Sequence, residues 1–172
     1  MASLFGHGIL AYTISKVIDN QELKILTVLA VVSSILPDAD VLAFKFGIPY
    51  EHVFGHRGFT HSIFFAILWA LILTLIFAKR RSVIFFSVLC LSTLSHGILD
   101  AMTSGGEGVG FFIPFNNERY FFPFRGIKVS PIGIEKFFSE WGLQVLLSEL
   151  KYIMLPCLMI LCLVFLKNTY RK

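Results

Sequence analysis

Charge is what this sequence has least of. Asp, Glu, Lys and Arg make up 15% of its 172 residues, against 56% hydrophobic residues. A soluble domain carries about 25% charged residues, so the apolar excess here has to face lipid. No charged residue occurs from His61 to Ala78 or from Ser82 to Leu99. Runs of about 18 residues, rising 1.5 Å per residue, cover most of a hydrocarbon core about 30 Å thick. A third uncharged run, Tyr152 to Leu166, lies between Lys151 and Lys167. The chain reads as an integral membrane protein.

Other absences narrow the class further. The three cysteines, Cys90, Cys157 and Cys162, all sit in apolar stretches, where they read as small packing residues and not as a disulfide or a zinc knuckle. The first cation is Lys16, so there is no positive n-region and no cleavable signal peptide is expected. The net charge of +4 comes without a basic stripe, and cations near membrane ends account for most of it. Nucleic acid is therefore not an expected partner. No repeat, low-complexity tract or shift in composition divides the chain, which reads as one domain over residues 1–172.

What is present reads as an all-α polytopic membrane bundle of about five helices. The first covers residues 3–18 and the second 22–36, closed by Pro37, which cannot continue a helix without losing a hydrogen bond. Residues 37–60 read as a polar connection. Spans at 61–78 and 82–100 follow, then a long Gly-, Pro- and Phe-rich loop over 101–135. The last helix is expected to begin before Trp141 and to cross the membrane near 150–167. Lys79-Arg80-Arg81, a very short cationic turn between two apolar spans, belongs on the cytoplasmic side. That places the N-terminus and the long loop outside.

With this topology the histidines and the informative carboxylates collect at one level. His7 lies near the outer end of the first helix. Asp38 and Asp40 follow the second, His56 and His61 bracket the start of the third, and His96 and Asp100 close the fourth. His96 and Asp100, four apart, share one helix face. Imidazole and carboxylate together suit zinc, manganese or iron better than calcium. Six or seven candidate ligands exceed the three that one catalytic zinc uses, so the count fits a two-metal site with Asp100 or Asp38 bridging, and one or two ions are expected. Arg57, Arg119, Arg125 and Lys128, all on the same side, are suited to an anionic substrate.

Each residue also has a plainer reading. His7 can be a packed interfacial histidine, and Asp38 and Asp40 ordinary turn residues. His96 and Asp100 can form a hydrogen-bonded pair, and Arg57 can reach for headgroups. His52 reads as structural. Glu107 reads as a solvated loop residue with a second role as general base. The phenylalanines of the long loop read as a cover dipping into the interface.

Pro37-Asp38-Ala39-Asp40, His56-Arg57-Gly58-Phe59-Thr60-His61-Ser62 and Ser95-His96-Gly97-Ile98-Leu99-Asp100 together resemble the bacterial LexA-regulated, membrane-bound metal-dependent hydrolase family. The resemblance extends to His7, Gly105, Ile113-Pro114-Phe115 and Val129-Ser130-Pro131, nearly the whole chain. It implies an inner-membrane protein with hydrolase activity. More distantly, the order of ligands looks like the zinc-dependent phospholipase C and P1 nuclease group, which implies His7, Asp38, His61, His96 and Asp100 as metal ligands. No histidine follows His96, so the later ligands of that group have no counterpart and a three-metal site is not expected.

The favoured expectation is hydrolysis of a phosphoester, from a phospholipid or another membrane-derived molecule, at the extracytoplasmic face. Metal ligands would be His7, Asp38, His56, His61, His96 and Asp100, and catalytic groups Asp38, Asp40, His61 and Asp100, with Asp40 either ligating or orienting a ligand. Arg57, Arg119 and Arg125 would bind substrate. A non-catalytic metal-binding protein that regulates a partner is the alternative. Transport is disfavoured, because no ionisable residue between Ser62 and Ala78 continues a polar path.

Overall fold

The computed structural model describes residues 1–19, 23–78 and 80–170. Lys79, the first residue of the expected cationic turn, lies outside the described residues. The helices are α1 (Leu4–Ile18), α2 (Lys24–Ile35), α3 (Ile63–Phe77), α4 (Ser82–Ala101), a short α5 (Ile134–Phe137), α6 (Glu140–Glu149) and α7 (Leu155–Thr169). A π-helical turn, Leu150–Met154, joins α6 to α7 in one 30-residue rod, Glu140–Thr169. Three helical stretches are long and apolar enough to cross a membrane: Lys24–Phe46, Ser82–Ala101 and Glu140–Thr169. α1 and α3 are equally apolar but have 15 residues each, about 22 Å of helix. The result is a helical membrane bundle.

Small residues and hydroxyls hold it together. Without a hydrophobic drive between helices in lipid, close backbone approach and interhelical hydrogen bonds take over. Ala11, Ala30, Ala66 and Ala70 are fully or almost fully buried. Ser15 bonds Thr27 between α1 and α2 at 2.9 Å, and the Trp69 indole donates to Ser33 between α3 and α2 at 3.0 Å. Leu26, Ala30, Ala70, Leu73, Phe85, Val88 and Leu89 form the core among α2, α3 and α4. A second cluster ties Ala2, Leu99 and Ile127 to Ile153 and Cys157 of the last rod.

The connection expected as polar loop over 37–60 is partly helical. The second α-helix ends at Ile35, ahead of Pro37 as expected, and Pro37 then sits at the start of an eleven-residue 3₁₀ helix, Leu36–Phe46. A first-turn proline lacks only an N–H that would go unpaired anyway. The 3₁₀ helix is longer than the usual three or four residues and carries both Asp38 and Asp40. Gly47, with φ 74°, ends it in the left-handed region. A tight series of turns then leads to a 3₁₀ turn, Phe59–His61, at the head of α3. A Cβ on Gly58 would lie 2.2 Å from the Val53 carbonyl oxygen, so only glycine fits there. The long loop is held by two isolated bridges, Thr103 to Ile127 and Val109 to Tyr120.

Candidate metal centre

One turn into α1, the C-terminal extension of α2, the head of α3 and the end of α4 meet at one end of the bundle. There Asp38, His61, His96 and Asp100 each offer a ligand atom within 4.8 Å of the others. None of the four is more than 6% exposed.

The two imidazoles are fixed by their far nitrogens. His96 Nδ1 is 2.6 Å from the Ser34 carbonyl oxygen, an atom that can only accept, so Nδ1 carries the proton. His61 Nδ1 lies 3.2 Å from Asp40 Oδ2. Carboxylate or carbonyl on the outer nitrogen is the usual support of a metal-binding histidine. The inner Nε2 atoms then face each other at 3.0 Å. With both Nδ1 protons committed, two lone pairs meet unless something positive lies between them. In the metal-free chain this is a proton: burial pulls the His61 pKa down, but hydrogen bonds and charge from Asp100 and Asp40 outweigh it and push it up to about 9.

The other separations describe a small polyhedron of donors. Asp38 Oδ1 is 3.3 Å from His96 Nε2 and 3.8 Å from His61 Nε2. Asp100 Oδ2 is 3.6 Å from His61 Nε2 and 3.9 Å from His96 Nε2. Bonds of about 2.0–2.1 Å at the tetrahedral angle put donors about 3.3–3.4 Å apart, and the observed edges straddle that value. Among the described residues, neither oxygen of Asp38 nor Oδ2 of Asp100 accepts a hydrogen bond, although all three atoms are buried. Unpaired buried carboxylate oxygens are costly, and a divalent cation among the donors would satisfy Asp38 Oδ1 and Asp100 Oδ2. The residues fit such an ion.

The remaining site candidates surround this centre. His7 stacks on His96, ring centroids 3.7 Å apart, with Nε2 3.5 Å from Asp100 Oδ1; it borders the four donors without joining them. Asp40 has both oxygens occupied: Oδ1 faces His56 Nδ1 at 2.6 Å, and Oδ2 accepts from the Thr60 hydroxyl at 2.8 Å and the Arg57 amide at 3.1 Å. Asp40 is thus placed to orient His61 through Nδ1, one of the two roles expected of it. Asp40, His56 and His61 form a second group close enough to hold an ion, in which His56 Nδ1 lies 2.6 Å from Asp40 Oδ1.

The arginines expected to receive substrate are engaged elsewhere. Arg57 is fully buried. It holds a left-handed φ of 62°, and its guanidinium lies against Asp100 Oδ2 (3.1 Å) while donating to Thr103 Oγ1 and the Gly105 carbonyl, both at 3.0 Å. Arg119 donates to the carbonyls of His56, Tyr50 and His52, and Arg125 to that of Thr103 while covering the Phe121 ring. All three serve as clamps on backbone. His52 is exposed and accepts from the Phe54 amide, and Glu107 is exposed.

Sequence reasoning missed several partners. Ala2 donates its amide to Asp100 Oδ1 at 2.8 Å, and the Met1 nitrogen lies 3.7 Å from Oδ2. Glu149, fully buried, binds Ser3 through both carboxylate oxygens. A carboxylate just before the last apolar run was the available signal for Glu149; main-chain partners such as Ser34 and Ala2 leave none.

Comparison with known proteins agrees with this architecture. The family described as YdjM inner membrane protein matches residues 1–171. The chain belongs to that family. Within reach of the YdjM family match, the inner membrane protein YbcI of Escherichia coli (strain K12) is 43% identical over 134 residues, covering 76% of this chain and 78% of that protein. No solved structure matches.

Proposed function

We propose that this YdjM-family chain is a metal-dependent hydrolase that cleaves a phosphoester, of a phospholipid or other membrane-derived molecule. Asp38, His61, His96 and Asp100 hold one divalent transition ion, zinc by the chemistry of the donor set. The observation that carries this is the pair of Nε2 atoms 3.0 Å apart, each with its outer nitrogen already committed. When bound, such an ion supplies a Lewis acid for a phosphoryl oxygen and acidifies water.

The chain's own residues do the rest. Asp40 and the Ser34 carbonyl fix the two imidazoles. Asp100 is presented to the ion by its neighbours: its Oδ1 is held by the Ala2 amide, while Oδ2 faces the centre beside the Arg57 guanidinium. A lipid substrate is supported by an apolar cavity of about 410 Å³ lined by Ile63, Ile98, Phe111 and Phe121 among others. Ile63 follows two residues after His61, and its amide bonds the Phe111 carbonyl at 3.0 Å, so the cavity wall abuts the backbone of the centre. The cationic turn between α3 and α4 supports an extracytoplasmic site.

A second reading, a non-catalytic metal centre with a regulatory role, is favoured by one observation: four protein donors, all buried, close a tetrahedron as structural sites do. Metal analysis of the purified protein and of Asp100→Ala, with a phosphoester screen in lipid nanodiscs, separates the readings. The hydrolase predicts about one ion per chain, lost in the variant together with turnover. Metal without turnover selects the second reading. No stoichiometric metal, with thermal stability indifferent to chelator, ends both.

A further inference from the structure

The last rod is mostly lipid-facing, with only 17% of its span window buried. Glu149 breaks that pattern. It is fully buried on the last residue of α6, immediately before the π-helical turn Leu150–Met154, and a π turn within a long helix frequently accompanies function. Its Oε1 accepts the Ser3 amide and its Oε2 the Ser3 hydroxyl. The same Ser3 caps α1, its hydroxyl accepting from the Gly6 amide at 3.3 Å. Gly6 lets the helix come down on this carboxylate, since a Cβ there would lie 3.2 Å from Glu149 Cδ and 3.1 Å from Ile153 Cδ1.

What Ser3 holds in place bears on the centre twice. One residue earlier, the Ala2 amide donates to Asp100 Oδ1 at 2.8 Å. Four residues later, His7 stacks on His96 and reaches toward the same Asp100 oxygen. Oδ1 being taken, Oδ2 is the oxygen left to the donor set. Glu149 thus grips the one turn of chain that decides how Asp100 is presented.

We infer that Glu149 is a positioning residue of the metal centre, acting through Ser3 on the Ala2 amide and His7 and so on the aim of Asp100. The inference rests on the metal reading above. It predicts that a supporting interaction one step beyond a ligand's own hydrogen-bond partner alters the ion's affinity by about tenfold, the low end of what direct outer partners do.

The test uses the full chain in nanodiscs, stripped of metal and titrated with Co²⁺ alone, reading affinity by calorimetry and ligand geometry by the visible absorption band. Wild type should bind with a band of low-symmetry, near-tetrahedral type. Glu149→Leu, which removes both acceptors, should weaken binding about tenfold and shift the band. Glu149→Gln, which keeps one acceptor for the Ser3 amide, should recover part of both. Ser3→Ala, losing only the hydroxyl bond, should shift the band less, and it carries the test if Glu149→Leu fails to fold. Wild-type affinity and band in Glu149→Gln and Ser3→Ala overturn the inference, as does a Glu149→Leu protein that melts lower but binds Co²⁺ unchanged. A wild-type chain that takes up no Co²⁺ instead removes the metal centre itself.

Discussion

Replacing Asp100 by Asn tests whether the charge at the end of α4 is bound into the fold by Arg57. Both side chains are at most 1% exposed and their atoms approach to 3.1 Å. Asn keeps the volume and can still accept the Ala2 amide, so packing changes little. What changes is charge: the guanidinium stays buried without its counter-ion. Removing one partner of a buried pair costs about 3–5 kcal/mol. For a chain of this length each kcal/mol moves the melting temperature by about 2–4 °C, so the metal-free variant should melt roughly 6–20 °C lower. Intrinsic fluorescence of Trp69 and Trp141 in nanodiscs, with chelator present, reads the transition. Adding Arg57→Met should restore part of the loss, because the orphaned guanidinium is then removed, and the cycle should show a coupling of about 1–3 kcal/mol. An Asp100→Asn protein melting within 2 °C of wild type (about 1 kcal/mol or less), or a strictly additive double variant, would refute the reasoning.

Further outcomes follow from the same geometry. His96→Ala should abolish divalent-cation binding and phosphoester turnover while the protein still inserts and purifies as a folded species, checked by equilibrium dialysis and circular dichroism. Asp40→Asn should weaken metal binding about 10–100-fold without abolishing it, since the four donors remain; a variant with wild-type affinity would count against its orienting role. Gly58→Ala should destabilise by more than about 2 kcal/mol, because the new methyl would overlap the Val53 carbonyl; a denaturant or thermal melt checks this. In chelator, the charged form of His61 stabilises the fold. Its pKa lies above the ordinary 6.5, at about 9, so that contribution is complete below pH 6.5 and lost as pH rises through 9. Melting temperatures at pH 6.5 and 9.5 should differ in that direction, and no difference would contradict the assignment.

The long helices were legible because lipid exposure forbids charge, and the uncharged runs marked α3 and α4 almost to the residue. The 3₁₀ helix was not legible, because proline stops a helix in its interior and opens one at its first turn, and Pro37 alone does not say which. That helix also decides the roles of the two aspartates. At three residues per turn, Asp38 and Asp40 point about 120° apart, so one faces the donors and the other the rings of His56 and His61. Spacing in the His56 to Ser62 string likewise could not tell which imidazole faces inward; the left-handed turn at Arg57 settles that. The arginines looked available because cations near a membrane end ordinarily meet solvent or headgroups, whereas here backbone carbonyls reach them first.

The unequal rods carry a consequence for the surrounding bilayer. Two of the helices, α1 and α3, reach about 22 Å while the last rod, at 30 residues, reaches about 45 Å. Lipid cannot match both lengths at once. Acyl chains beside the short pair must compress or splay, at a cost of fractions of a kcal/mol per ångström of mismatch, and the leaflet dimples there. Should the hydrolase proposed above act on lipid, headgroup phosphates drawn down by such thinning would approach the tips of α1 and α3, with the sheet of lipid bending to the protein.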